Sequence, residues 1–177
     1  MNHGFESLKP ERLHENPFQI IGQEWMLVTA GTIEAFNTMT ASWGGMGVLW
    51  NRPVTFAFVR PQRYTFQFIN RADTFTLSFF ERRYREALSF CGTQSGRYAD
   101  KMAATGLTAQ AVEPDAVTFA QARLVFVCRK LYAQDLQGSA FTVPEINAEV
   151  YPSQDYHRLF IGEVLTVLVA KQTTGTA

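Results

Sequence analysis

Between Thr74 and Phe80 the chain reads TFTLSFF, placing Phe75, Leu77 and Phe79 on one side and Thr74, Thr76 and Ser78 on the other. A period of two predicts a half-buried strand, its apolar side inward and its hydroxyl side exposed. WMLVT at Trp25–Thr29 and the segment Thr38–Ser42 carry strand patterns too, with AGTIEAFN turning the chain back between them. Gly31 in that turn is free to take a positive φ. RPVTFAFVRP gives a further strand bounded by Pro53 and Pro61, with Val54, Phe56 and Phe58 opposed to Thr55, Ala57 and Val59.

The period then changes. QRYTFQFINRA predicts a short helix with Tyr64, Phe68 and Ile69 close to one face. Tyr84, Ala87, Leu88 and Cys91 follow the i, i+3, i+4, i+7 spacing of an amphipathic helix, with Gly92 placed to stop it. A second short helix over Tyr98–Ala104 ends at Gly106 by the same logic. ARLVFVCRKLY is apolar on both faces, as a central strand is. YHRLFIGEVLTVLVA is the last long strand, and Gly162 inside it predicts a bulge or a close backbone approach. Many strands with few short helices predict a mainly β chain, a β-barrel decorated by short helices. Helices and strands do not alternate regularly, which argues against a parallel α/β sheet.

Composition narrows the reading. The 177 residues fit a single domain, with the polar stretch Met1–Gln19, broken by Pro10 and Pro17, as an arm leading into it. Fifteen phenylalanines lean the chain further towards sheet. Sixteen basic residues balance sixteen acidic ones, so no electrostatic footprint for nucleic acid exists, although one small anion needs only one or two well-placed cations. Cys91 and Cys128 lie far apart without metal spacing. The N-terminus lacks signal-peptide character, and the apolar run VLTVLVA is far shorter than the about 20 residues a membrane helix needs. The expectation is a soluble cytoplasmic protein, with no membrane or nucleic-acid partner and no metal.

Four segments carry candidate chemistry. In NTMTASWGG, Thr38, Thr40 and Ser42 share a face that offers hydroxyls to ligand oxygens. Trp43 supplies a flat apolar surface, and the glycines after it let backbone amides approach a ligand; alternatively this is an exposed Thr/Ser face followed by a turn. In RPQRYT, Arg60 and Arg63 flank a predicted helix start, whose unpaired amides attract phosphate. As a bland alternative they are surface arginines. In CGTQSGRYADK, Ser95, Gly96, Arg97 and Lys101 either close over a ligand or merely link two helices. His157 beside Tyr156 is structural, or it hydrogen-bonds a substrate amide or shuttles a proton. Ser-His-Asp, HExxH, Walker and GxGxxG patterns are absent, which removes the common hydrolase, nucleotidase and Rossmann readings.

Taken in order, NTMTASWGG, RPQRYT, SGRYADK and HRLFIGEV resemble the flavin reductase-like family with the FMN-binding split-barrel fold, in its flavoredoxin-type branch. The likeness runs from about Pro17 to Leu168. It implies a homodimer with FMN in a groove between subunits. It implies that Asn37, Thr38, Met39, Thr40, Ala41, Ser42 and Trp43 line the ring and ribityl chain. Arg60, Arg63, Tyr64 and Thr65 would then approach the phosphate, Ser95, Gly96, Arg97 and Lys101 would enclose the cofactor, and His157 would lie near a nicotinamide. The implied activity is an FMN-dependent oxidoreductase, with hydride passing from NADH or NADPH to FMN and on to a flavin or small acceptor. The implied alternative is a flavoredoxin-like electron carrier reduced by a partner protein. In either case the flavin carries the chemistry and the fold positions it.

Overall fold

A computed structural model describes residues 4–171. In chain order its elements are β1 (Phe5–Leu8), α1 (Pro17–Gln19) continuing into a wider turn over Ile20–Glu24, β2 (Met26–Thr32), β3 (Ala35–Ala41), β4 (Gly44–Leu49), β5 (Arg52–Val59), α2 (Tyr64–Arg71), β6 (Thr74–Phe79), α3 (Arg85–Thr93), α4 (Lys101–Thr105), β7 (Ala109–Val112), β8 (Ala116–Phe119), β9 (Leu124–Asp135), α5 (Pro144–Val150) and β10 (Arg158–Ala170). The main sheet is antiparallel throughout, in the order β3-β2-β6-β9-β10-β5-β4, with β1 also on β10. Its two end strands, β3 and β4, are joined in the chain by only Ser42 and Trp43. Met39 and Ala41 from one end share a core with Ala57 and Val59 from near the other, together with Phe75, Phe126 and Phe160 from the middle. The sheet therefore curls around its own apolar face, and the expected mainly β barrel with short helices is what forms.

A second core lies on the sheet's other face. Leu88 and Cys91 of α3, Leu107, and Phe119 of β8 pack there on Leu27, Val125 and Val127. This layer overturns one expectation. Thr76 and Ser78 are fully buried instead of exposed. The β7–β8 hairpin covers them: Thr76 donates to the Val117 carbonyl at 2.6 Å, and the Ser78 and Thr118 hydroxyls pair at 2.9 Å. A hydroxyl inside a fold is tolerated when it is bonded, so alternation marked the face correctly but not its exposure.

Four further boundaries differ from the sequence reading. The N-terminal arm contains strand β1, whose Phe5 is buried; residues 1–3 of the arm lie outside the described residues. Gly44–Leu49, assigned no strand from the sequence, forms β4 and pairs with β5 through a two-residue hairpin at Trp50 and Asn51, both at positive φ (53° and 57°). Gly92 does not end α3. It lies within the last turn, where an added Cβ would stand 3.2 Å from Thr40 Cβ, and Gln94 is the cap. Gly106 does close α4, at φ 69°, though that helix begins at Lys101 with Asp100 as its cap rather than at Tyr98. At Gly162 the β9–β10 register shifts, and a Cβ would meet Phe75 Cζ at 2.5 Å and Cys128 Cβ at 2.8 Å. Among the described residues no helix is long and apolar enough to cross a membrane.

Candidate functional site

The β3–β4 junction, the end of β5 and the start of β10 meet at a cleft of about 220 Å³. Ser42, Trp43, Phe58, Arg60, Arg63 and His157 line it, with Met39, Thr40 and Ala41 at its floor. A neighbouring hollow of about 480 Å³ shares Ser42, Trp43 and Phe58 with it and runs over Gly44, Gly45 and Met46 towards Pro17, Phe18, Ile21 and Gly22. Trp43, half exposed, stands between the two spaces.

The two arginines differ sharply. The Arg60 guanidinium is already engaged: it pairs with Asp155, donates to the Val150 carbonyl at 3.0 Å, and covers the face of Tyr151 at 5.2 Å. The Arg63 side chain has no carboxylate and no hydrogen-bond acceptor among the described residues. Burial holds its pKa below the usual guanidinium value. Arg63 caps α2, whose first amides have no partner within the helix. A half-buried, uncompensated cation at a helix start is a donor set for an anion.

Lys101 strengthens that end. It is buried, and its ammonium donates to the carbonyls of Thr38 at 2.6 Å and Cys91 at 2.9 Å. Burial lowers its pKa to about 8, with the Arg63 charge adding to the depression against an opposing pull from Cys91. Two cations that feel each other, with no anion between them, form a local positive field in a chain without net charge.

The hydroxyl row does not face the cleft as a row. The Thr38 hydroxyl pairs with that of Thr29 at 2.8 Å, and the Thr40 hydroxyl donates to the Leu88 carbonyl of α3. Thr65 is buried and accepts from Asn37 Nδ2 at 2.7 Å, which ties β3 to α2. Alternation does place Thr38 and Thr40 opposite Met39 and Ala41, but α3 covers that face. Ser42, past the end of β3, lines the cleft. Tyr64 turns to a separate hollow beside Phe68 and Arg71, where Arg97 lies over its ring at 4.8 Å. Ser95 Oγ accepts from the Arg97 amide at 3.3 Å, so that turn is self-bonded. An added Cβ at Gly96 would come within 2.0 Å of Asn37 Oδ1, so a larger residue there would have to push aside the Asn37 amide that is bonded to Thr65.

At the opposite end His157 is buried, its Nδ1 2.8 Å from the Tyr151 hydroxyl and its ring 5.2 Å from that of Trp43. Burial, aided by the Arg60 charge and opposed by Asp155, pushes its pKa down to about 4. The imidazole is therefore neutral at pH 7. Phe58, Tyr151 and Asp155 escaped the sequence reading. The only signal for the last two was their position in the turn YPSQDYH just before His157, and nothing in the periodicity says that this turn folds back on Arg60.

An antiparallel split barrel, open at one corner onto a cleft with cations at one end and aromatics at the other, defines a class of protein. A family model described as "Flavin reductase like domain" matches residues 18–176, and the chain belongs to that family. Solved structures agree on the fold. The flavoredoxin of Desulfovibrio vulgaris (Miyazaki F) is 23% identical with a TM-score of 0.66, over 94% of this chain and 76% of its own. An FMN-binding protein from Thermus thermophilus, solved with bound p-hydroxybenzaldehyde, is 21% identical at a TM-score of 0.66, covering 95% and 81%. The FMN-binding domain of a flavin reductases-like enzyme from Shewanella baltica OS155 is 17% identical at a TM-score of 0.68, covering 97% and 80%. No curated protein matches the chain.

Proposed function

We propose that the chain binds FMN across the cleft and acts as an oxidoreductase that takes a hydride from NADH or NADPH. The observation that carries this is Arg63, a half-buried guanidinium without a partner among the described residues that opens on the same cleft as Trp43 and His157. The donor set fits FMN. Arg63 and the first amides of α2 suit the phosphate, with Lys101 adding charge behind them. Ser42 offers a hydroxyl to the polar chain, and Trp43 and Phe58 offer apolar surface to the ring. When bound, the flavin would supply the hydride-accepting centre and the electron route to a second flavin or a small acceptor.

The chain's own part is to bind, orient and shield. Reacting atoms gain most when held roughly 3–3.5 Å apart in line. His157 cannot act as a cation at neutral pH, so its use is to hold a neutral ligand group beside Trp43. The cleft of about 220 Å³ is below the roughly 300–1,000 Å³ of common ligand pockets, so the dye must extend past Trp43 into the adjoining hollow. That hollow lies along edge strand β4, close to exposed Phe18, with Val48 and Trp50 exposed at the strand's far end. A second copy of the chain seated there would complete the site as a homodimer.

The test is a visible spectrum of the purified protein loaded with FMN, followed by anaerobic titration with NADH and with NADPH. Bleaching of the flavin band by either is expected. A dye that binds but stays oxidised under excess of both would overturn the reductase reading in favour of an electron carrier served by a protein partner. Failure to bind FMN would overturn both.

A further inference from the structure

The turn before β10 is built around His157 in a way the binding of a dye does not require. We propose that Tyr151 is a positioning residue that fixes His157 as the tautomer with its hydrogen on Nε2, so that the cleft meets a fixed N–H donor matched to a carbonyl oxygen. This rests on the cofactor reading above only for the identity of what enters the cleft.

The geometry carries the argument. Tyr151 is 5% exposed, and its hydroxyl lies 2.8 Å from His157 Nδ1, with the two rings edge to face at 80°. The phenol has little freedom to turn away. Tyr156 packs on it at 5.0 Å and Phe141 at 5.8 Å, while Arg60 covers its face at 5.2 Å. Arg60 is in turn anchored to Asp155 and to the Val150 carbonyl, and Tyr156 donates to Asn147 at 2.9 Å. The direction of the shared hydrogen follows from chemistry. A phenol is the better donor of the two and an imidazole nitrogen the better acceptor. Burial, with the Asp155 charge adding to it, keeps the phenol neutral against the opposing pull of the Arg60 cation and the His157 backbone N–H. The hydrogen therefore points from Tyr151 to Nδ1, and a neutral imidazole must then carry its own on Nε2. Arg60 and Asp155 are the charges that act on the ring, and the ring stays neutral down to about pH 4. One species is thus present across the working range. An Nε2–H beside Trp43 donates to a carboxamide, aldehyde or ketone oxygen and takes no proton from the ligand.

The experiment is a long-range ¹H–¹⁵N correlation spectrum of the full chain labelled at histidine, recorded at pH 7 without FMN and with it. A bare Nδ1 and a protonated Nε2 are expected for His157 in wild type. Tyr151→Phe should give exchange-averaged shifts of both tautomers, and Arg60→Lys should retain the wild-type pattern. In the FMN-loaded protein, free nicotinamide as carboxamide probe should move the Nε2 resonance of wild type and shift that of Tyr151→Phe less. A hydrogen on Nδ1 in wild type overturns the assignment without need of any variant. An unchanged tautomer in Tyr151→Phe overturns the role of Tyr151, and an Nε2 resonance indifferent to nicotinamide overturns the carbonyl match. Should FMN not bind at all, the cofactor reading fails while the tautomer measurement on the flavin-free chain still decides this one.

Discussion

Replacing Arg63 with alanine separates the roles of the two arginines. Among the described residues the Arg63 side chain has no acceptor, and burial disfavours its charge. The substitution removes a charge without breaking a bond, so stability to urea should stay within about 0.5 kcal/mol of wild type or rise. Binding should respond differently. One charge-assisted hydrogen bond to phosphate is worth about 1.5–3 kcal/mol, which is a loss of roughly 10- to 150-fold in FMN affinity. Lys101 remains in place, held by two carbonyls at 2.6 and 2.9 Å, so the attraction falls without vanishing. Riboflavin shares the ring and ribityl chain but lacks the phosphate, and its affinity should hardly change. Titration of both dyes by fluorescence, at low and high salt, reads the difference directly, and screening should shrink the FMN advantage. Equal weakening of both dyes would remove Arg63 from the phosphate end. Arg60→Ala is the matching control: it should destabilise the fold, because Arg60 holds Asp155 and the Val150 carbonyl.

Two predictions concern stability. Gly162→Ala forces a methyl to within 2.5 Å of Phe75 and 2.8 Å of Cys128, so it should cost about 1–3 kcal/mol in urea denaturation, and an unchanged midpoint would show that the β9–β10 bulge yields freely. Burial lowers the His157 pKa to about 4 from the ordinary 6.5, so the unfolded chain binds more protons in that window. Its contribution is present above about pH 6.5 and is lost as pH falls towards 4, by about 3 kcal/mol in all. His157→Gln should show a shallower acid limb than wild type in urea melts at pH 7, 5.5 and 4.5, and parallel limbs would contradict the burial argument.

Much of the barrel is written in the sequence because sheet faces obey a local rule. The alternation in TFTLSFF, the doubly apolar LVFVC and the long run YHRLFIGEVLTVLVA each predict a strand from its own residues, and β6, β9 and β10 form where expected. Residue type likewise made Arg63, Trp43 and His157 candidates before any geometry was known. Periodicity states which residues share a face but not what covers it. Thr38, Thr40, Thr76 and Ser78 therefore looked like free hydroxyls, whereas α3, β2 and the β7–β8 hairpin engage them. The contrast between Arg60 and Arg63 depends on a carboxylate 95 residues away in sequence from Arg60, and the tautomer of His157 on a phenol folded back against it. Local pattern fixes strand and face because those follow from backbone geometry. Which polar group remains unpaired is decided only when distant segments compete for the same partners.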